Sequence, residues 1–309
     1  MTSAAAILFG LALGDTLGYE VEFKSLSQIK QDYGPAGIVD LPDPPEYSDD
    51  TQMSIALAEG LLEAGFDAPL DAQMDTVGRH FLKWAHSPEN NRAPGITCMS
   101  GLQNYESGTP WRESGNAGSK GCGAAMRVGL LGWIYQHDEA RLRELAVASS
   151  VITHRHPTAA AAAAAAAFLV KLALDRVPPG QYLARTMAFL DGMDETMEQA
   201  LRAVAHVGAW TNEEEALEHI GRGWVGEEAV ALAVYCVLRY PDDYTACMRR
   251  AANTEGDSDS IACIAGSISG ARLGLEAIPA DWRARCEHAA DLARLAARLE
   301  TARSAFLRS

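Results

Sequence analysis

Apolar residues recur at helical spacing along almost the whole chain, and the sustained period-two alternation of a half-buried strand is scarce. Residues 3–18 are small and apolar with closely spaced glycines, which predicts a buried helix approached tightly by a neighbour. Met53, Leu57, Leu61 and Leu62 predict a helix that opens at Ser48-Asp49-Asp50 and stops near Gly65. Val77, Phe81 and Trp84 place the next over 72–86. Further helices are expected over 124–135, 141–153, 181–191, 194–207, 213–220, 227–239, 242–253, 261–275 and 281–307. The nine alanines Ala159–Ala167, introduced by His154-Arg155-His156-Pro157, read as a helix shaved to methyl groups at the centre of a bundle.

Two stretches resist this pattern. From Lys24 to Pro45 four prolines break any periodicity, and irregular chain is expected. From Ser87 to Gly123 runs a segment rich in Pro and Gly, with a short helix expected over 97–105. A loop that long in a compact protein is usually functional or disordered, and the glycine-rich ends favour function here. The predicted architecture is all-α: one compact multi-helix domain over residues 1–309.

Composition narrows the function. An apolar content of 48% suffices for a large core, while a formal charge of −15 weighs against a nucleic-acid backbone or an anionic membrane as partner. A bound anion would need cations or backbone N–H groups to shield it. The six cysteines show no C-x-x-C spacing and read as buried thiols in a reducing, cytoplasmic setting. The stretch from Met1 to Leu8 lacks a basic n-region and Asp15 cuts it short, so no signal peptide is expected. No apolar run is expected to span a bilayer, the polyalanine being too weakly hydrophobic.

Candidate chemistry concentrates at two helix starts. Glu255-Gly256-Asp257-Ser258-Asp259-Ser260 precedes the apolar run from Ile261, and Tyr47-Ser48-Asp49-Asp50-Thr51 repeats its logic some two hundred residues earlier. Acids in a first helical turn suit the N-terminal dipole, and two independently capped helices would explain them. A cap needs one oxygen-bearing side chain, however, and four stand together after Gly256. If Glu22, Asp49, Asp50, Asp257 and Asp259 converge, their charges raise one another's pKa unless cations neutralise them. Oxygen ligands without His or Cys point to a hard cation such as Mg²⁺ or Mn²⁺.

Ahead of another helix, Gly118-Ser119-Lys120-Gly121-Cys122-Gly123 offers backbone N–H groups able to cradle phosphate, or else a simple hinge. It matches neither a Walker A loop nor a dinucleotide fingerprint. His154 and His156, without further His or Cys nearby, read as ligand-contacting or capping residues and not as a zinc site. Trp224 reads as core.

Together these motifs resemble the ADP-ribosylglycohydrolase family. The resemblance rests on Gly14-Asp15-Thr16-Leu17-Gly18 with Glu22-Phe23, Ser48-Asp49-Asp50-Thr51, Gly121 through Arg127, Thr153-His154, Gly223-Trp224-Val225 with Glu227-Glu228, and Gly256 through Ser260. It implies two divalent cations, Mg²⁺ or Mn²⁺, held by Ser48, Asp49, Asp50, Asp257, Asp259 and Ser260. Glu22, Asp49 and Asp257 become the expected catalytic carboxylates. Gly95, the loop Gly118, Ser119, Lys120, Gly121, Cys122 and Gly123, and His154 become the expected substrate contacts. The implied reaction is hydrolysis of the bond between ADP-ribose and an acceptor: a protein side chain, a nucleobase or a small molecule. A catalytically silent binding or structural protein on the same fold is the alternative. A monomer is expected. Cys122 and Lys120 depart from the residues common in that loop, and Glu255 stands where a second glycine is common. The geometric expectation is that the two acidic helix starts face each other across roughly the 3.5–4 Å of a two-metal centre.

Overall fold

The computed structural model describes residues 3–308. Met1 and Thr2, which begin the stretch read above for a signal peptide, lie outside the described residues. The first helices are α1 (Ser3–Tyr19), α2 (Leu26–Tyr33), α3 (Asp49–Ala64), α4 (Leu70–Ala85), α5 (Ile96–Glu106) and α6 (Trp111–Ser114). The middle of the chain forms α7 (Gly129–Ile134), α8 (Glu139–Val151), α9 (Pro157–Leu174), α10 (Tyr182–Leu190), α11 (Glu195–Val207) and α12 (Glu213–Ile220). It closes with α13 (Gly226–Arg239), α14 (Tyr244–Ala252), α15 (Ser258–Leu273), α16 (Ala280–Arg285) and α17 (Ala289–Phe306). Among the described residues there is no strand, only two isolated bridges, Asn116 to His154 and Gly121 to Val225. The all-α expectation holds.

Helices α1, α9 and α15 are buried on every side, as uniformly apolar helices must be. Helix α9 corrects one expectation: at 18 residues it is long and apolar enough to cross a membrane. Here 89% of it is buried inside the fold, where its alanines admit close neighbours.

The central contact is the antiparallel pair α1–α15, whose backbones meet without intervening side chains. A Cβ on Gly10 would lie 2.4 Å from the Gly266 carbonyl oxygen, and one on Gly14 would lie 2.2 Å from that of Ala262. One on Gly18 would lie 2.3 Å from the Ser258 oxygen, and one on Gly270 would lie 2.2 Å from that of Ala6. The pairs step by four along both helices, one helical turn at a time. The Ser258 hydroxyl donates to the Gly18 carbonyl at 2.7 Å and ends the series. Valine at Gly266 must therefore separate two backbones, and we expect a loss of about 3 kcal/mol. Thermal melting by circular dichroism tests it; an unchanged midpoint would refute the packing described.

Three segments depart from the sequence reading. Within the expected irregular stretch lies α2, opened by a capping box in which Ser25 Oγ accepts from Gln28 N and Gln28 Oε1 accepts from Ser25 N. Only Ile29 of this helix is buried, too little to register as periodicity. The helix expected over 124–135 is broken: Cys122–Ala124 form a 3-10 turn and α7 begins at Gly129. Between them Arg127 turns its guanidinium inward, donating to Ser149 O and Thr153 Oγ1, each at 2.8 Å. The helix expected over 281–307 is split by Cys286–His288, where Glu287 folds back to accept from Arg92 and Tyr47 N while His288 is left-handed at φ 50°.

Candidate active site

Helix α1 ends and α15 begins at the same end of their contact, and α3 starts beside them. Asp15, in the otherwise apolar α1, is fully buried. Its carboxylate accepts from Ser48 N at 3.0 Å, Thr51 N at 2.9 Å and Thr51 Oγ1 at 2.5 Å. Ser48 Oγ accepts from Asp50 N at 3.3 Å. Asp15, Ser48 and the Arg92 carbonyl, which accepts from Asp49 N at 3.3 Å, thus satisfy the free donors that open α3. At the start of α15, Asp257 makes no side-chain capping bond. Asp49, Asp50 and Asp257 are left for another task, and independent caps do not account for them.

These carboxylates converge on one pocket of about 420 Å³. Glu22, Asp49, Asp50, Asp257, Asp259 and Ser260 line it, together with Gly95, Gly121, Cys122, Gly123 and His154. Oxygens of Glu22, Asp257 and Asp259 lie within 4.8 Å of one another. Ser48 is fully buried just behind, its hydroxyl oxygen accepting from Asp50 N. The two acidic helix starts are therefore brought face to face.

Three members of the glycine-rich loop stand off the pocket. Gly118 N donates to Asn116 Oδ1 at 2.8 Å, and the Ser119 hydroxyl meets Thr97 Oγ1 at 2.9 Å. Lys120 is ion-paired with the buried Glu227. The Gly226 N–H donates to Lys120 O at 2.8 Å, which pins the loop to the start of α13.

The electrostatics are those of an uncompensated acidic cluster. Burial, and then the charge of Asp259, pushes Asp49 and Asp50 well above the usual carboxylate range. Burial and the Asp257 charge do the same to Asp259. Glu22 is raised to about 10 and Asp15 to about 7, each by burial first and Asp259 second. Among the described residues none of these six acids is in an ion pair. Two of their buried oxygens, Glu22 Oε2 and Asp50 Oδ2, have no hydrogen-bond partner. Orphaned carboxylate oxygens in a set of oxygen donors fit a hard divalent cation, which supplies the missing charge and the missing partner together.

Some of the site was absent from the sequence reading. Asp15 stands in the first of the quoted motifs without a role, although a lone acid within an apolar helix marks a built-in partner. Trp224 is not core: it is 41% exposed and stacks on Phe23, itself 68% exposed, with ring centroids 5.2 Å apart. Phe23 is left-handed at φ 64°, its N–H donating to Gly256 O at 3.4 Å. The pair forms an aromatic rim beside Glu22. No local spacing announces it, because the rings come from segments two hundred residues apart. Cys122 Sγ donates to Asp257 Oδ2 at 2.8 Å, so the departure from the common loop residue falls directly on an acid of the cluster.

Residues 2–305 match the profile of a family described as ADP-ribosylglycohydrolase. The chain is similar to the ADP-ribosyl-[dinitrogen reductase] glycohydrolase of Rhodospirillum rubrum, 28% identical over 92% of this chain and 90% of the relative. It is similar to the ADP-ribosylhydrolase ARH3 of Mus musculus, 28% identical over 78% of this chain and 73% of the relative. Among solved structures, an ADP-ribosylglycohydrolase-related protein complex superposes with a TM-score of 0.73 at 26% identity, covering 97% of this chain and 98% of the other.

Proposed function

Since the chain belongs to the ADP-ribosylglycohydrolase family and is a hydrolase of glycosyl bonds, we propose that the pocket between α1, α3 and α15 hydrolyses the bond joining an ADP-ribosyl group to its acceptor. Ser48, Asp49, Asp50, Asp257, Asp259 and Ser260 hold two divalent cations, Mg²⁺ or Mn²⁺. The observation that carries this reading is the pair of orphaned oxygens, Glu22 Oε2 and Asp50 Oδ2, in a carboxylate cluster without a protein cation. Bound cations of this kind acidify a water and hold substrate oxygens in place.

The protein's own residues supply the rest. Water adds its oxygen to the anomeric carbon while the bonding electron pair departs with the acceptor, and the ribose passes through a cation-like state. The surrounding carboxylates favour that positive charge. With the cluster's charge neutralised, Glu22 on the pocket wall is ionised, accepts a proton from the incoming water and passes it to the departing acceptor. Pro94, Ile96 and Met126 supply the apolar part of the pocket lining, with Ile96 exposed at its mouth. The glycine-rich turn at Gly121–Gly123 and His154 face the diphosphate.

The test is a panel of ADP-ribosylated arginine, serine, nucleobase and small-molecule substrates, with ADP-ribose release measured with and without chelator. Release from at least one, lost with chelator and restored by Mn²⁺ or Mg²⁺, is expected. Chelator-insensitive release would overturn the metal assignment. No release combined with no ADP-ribose binding would leave only the silent alternative.

A further inference from the structure

Behind the pocket lies a buried hydrogen-bond chain that the acidic cluster does not use. Arg127 is fully buried, yet among the described residues no carboxylate pairs with it. Its guanidinium lies over the Phe81 ring at 4.5 Å and donates to Ser149 O and Thr153 Oγ1, both at 2.8 Å. Thr153 Oγ1 in turn lies 2.9 Å from His154 Nδ1.

The direction of that last bond follows from what each group can still accept. An arginine has no lone pair to offer, so Thr153 Oγ1 accepts from Arg127 and keeps its own proton to give. One other acceptor is near, the Ser150 carbonyl, 3.5 Å from Thr153 Oγ1. That carbonyl already receives the N–H groups of Thr153 at 3.0 Å and His154 at 2.7 Å, which occupy its two lone pairs. The hydroxyl proton therefore goes to His154 Nδ1. Burial, and then the Arg127 charge, holds His154 down at about 3, so the ring is neutral and carries its single proton on Nε2.

Nε2 makes no hydrogen bond among the described residues, and the ring lines the pocket. A Cβ on Gly121 would lie 3.1 Å from Nε2, which places that nitrogen against the glycine-rich turn. The backbone on either side is pinned: Asn116 N donates to Thr153 O at 2.9 Å and Arg155 N to Asn116 O at 3.0 Å. The bridge fixes the backbone from which the ring projects, and the bond to Thr153 Oγ1 holds the ring itself.

We propose that Arg127 and Thr153 are positioning residues that lock His154 as a neutral Nε2–H donor to an anionic oxygen of the bound ligand, with Nε2 unable to serve as a metal ligand. With the pocket read as an ADP-ribose site, on which this assignment of the acceptor rests, that oxygen belongs to the diphosphate.

The test uses ¹⁵N-histidine-labelled protein, its His154 resonances assigned by their loss in H154Q, with Thr153→Val and Thr153→Ser for comparison. The wild type and T153S are expected to show Nδ1 unprotonated and Nε2 protonated, while T153V shows a mixture of tautomers. ADP-ribose titrated calorimetrically in the presence of Mg²⁺ is expected to bind T153V about tenfold more weakly and T153S like the wild type. An Nδ1–H tautomer in the wild type would overturn the proposal, as would T153V with unchanged tautomer and affinity in a protein that melts normally. If the wild type does not bind ADP-ribose at all, the ligand assignment falls with the proposed function, and the tautomer decides the hydrogen-bond chain by itself.

Discussion

Asn in place of Asp259 is expected to lower ADP-ribose release by on the order of 10³-fold while leaving the metal-free protein at least as stable as the wild type. The substitution keeps the shape of the side chain and removes one charge. Asp259 is the strongest like-charge neighbour of Asp15, Glu22, Asp49 and Asp50, each raised by it after burial. Removing that charge relieves four buried acids at once, so the loss of function accompanies relief of strain in the empty site. Turnover measured beside a thermal melt in chelator separates the two effects. A variant that loses activity because it melts early would assign Asp259 a structural role, and one with wild-type turnover would remove it from the proposed centre.

The second large effect is the response to cations. A cluster of buried, unpaired carboxylates opposes folding, and a ligand that binds only the folded state stabilises it by mass action. At a hundredfold excess over its dissociation constant the gain is about 2.7 kcal/mol, which for a chain of this size is a rise of roughly 4 °C in melting temperature. Mn²⁺ and Mg²⁺ are expected to produce it in the wild type, and D259N is expected to respond much less. Ca²⁺ is expected to stabilise without supporting turnover to the same extent, because its looser geometry suits a larger ligand set. A melting curve indifferent to all three would contradict the reading of the orphaned Glu22 and Asp50 oxygens.

How much of this was legible in the chain depends on whether the cause was local. Helix periodicity exposed α3 and α4 because their apolar faces lie in one continuous stretch, and the run of nine alanines exposed α9. The acidic helix starts were visible because four oxygen-bearing side chains exceed what one cap requires. Helix α2 was missed although its capping box, Ser25 to Gln28, was readable, since with one buried residue it leaves almost no apolar stripe. The interruptions before α7 and α17 were missed for another reason: Arg127 and Glu287 leave the helical path for partners in α8 and in the segment before α5. Trp224 and Phe23 meet only once the fold is complete. A single sequence offers no sign of which distant segment will come to lie opposite.

The stepwise contact between α1 and α15 has a consequence for how accurately the acids are placed. With carbonyls seated against glycine Cα atoms at every turn, the two helices have no intermediate positions in which to rest. A slide would have to cover a full turn of about 5.4 Å before the notches fitted again. Such a slip would carry Asp15 away from Asp259 by more than the 4.8 Å that encloses the oxygens of Glu22, Asp257 and Asp259. The pair behaves as a ratchet with one working tooth: the cluster is assembled at its full spacing or it is lost. A partly aligned site is not available to this backbone.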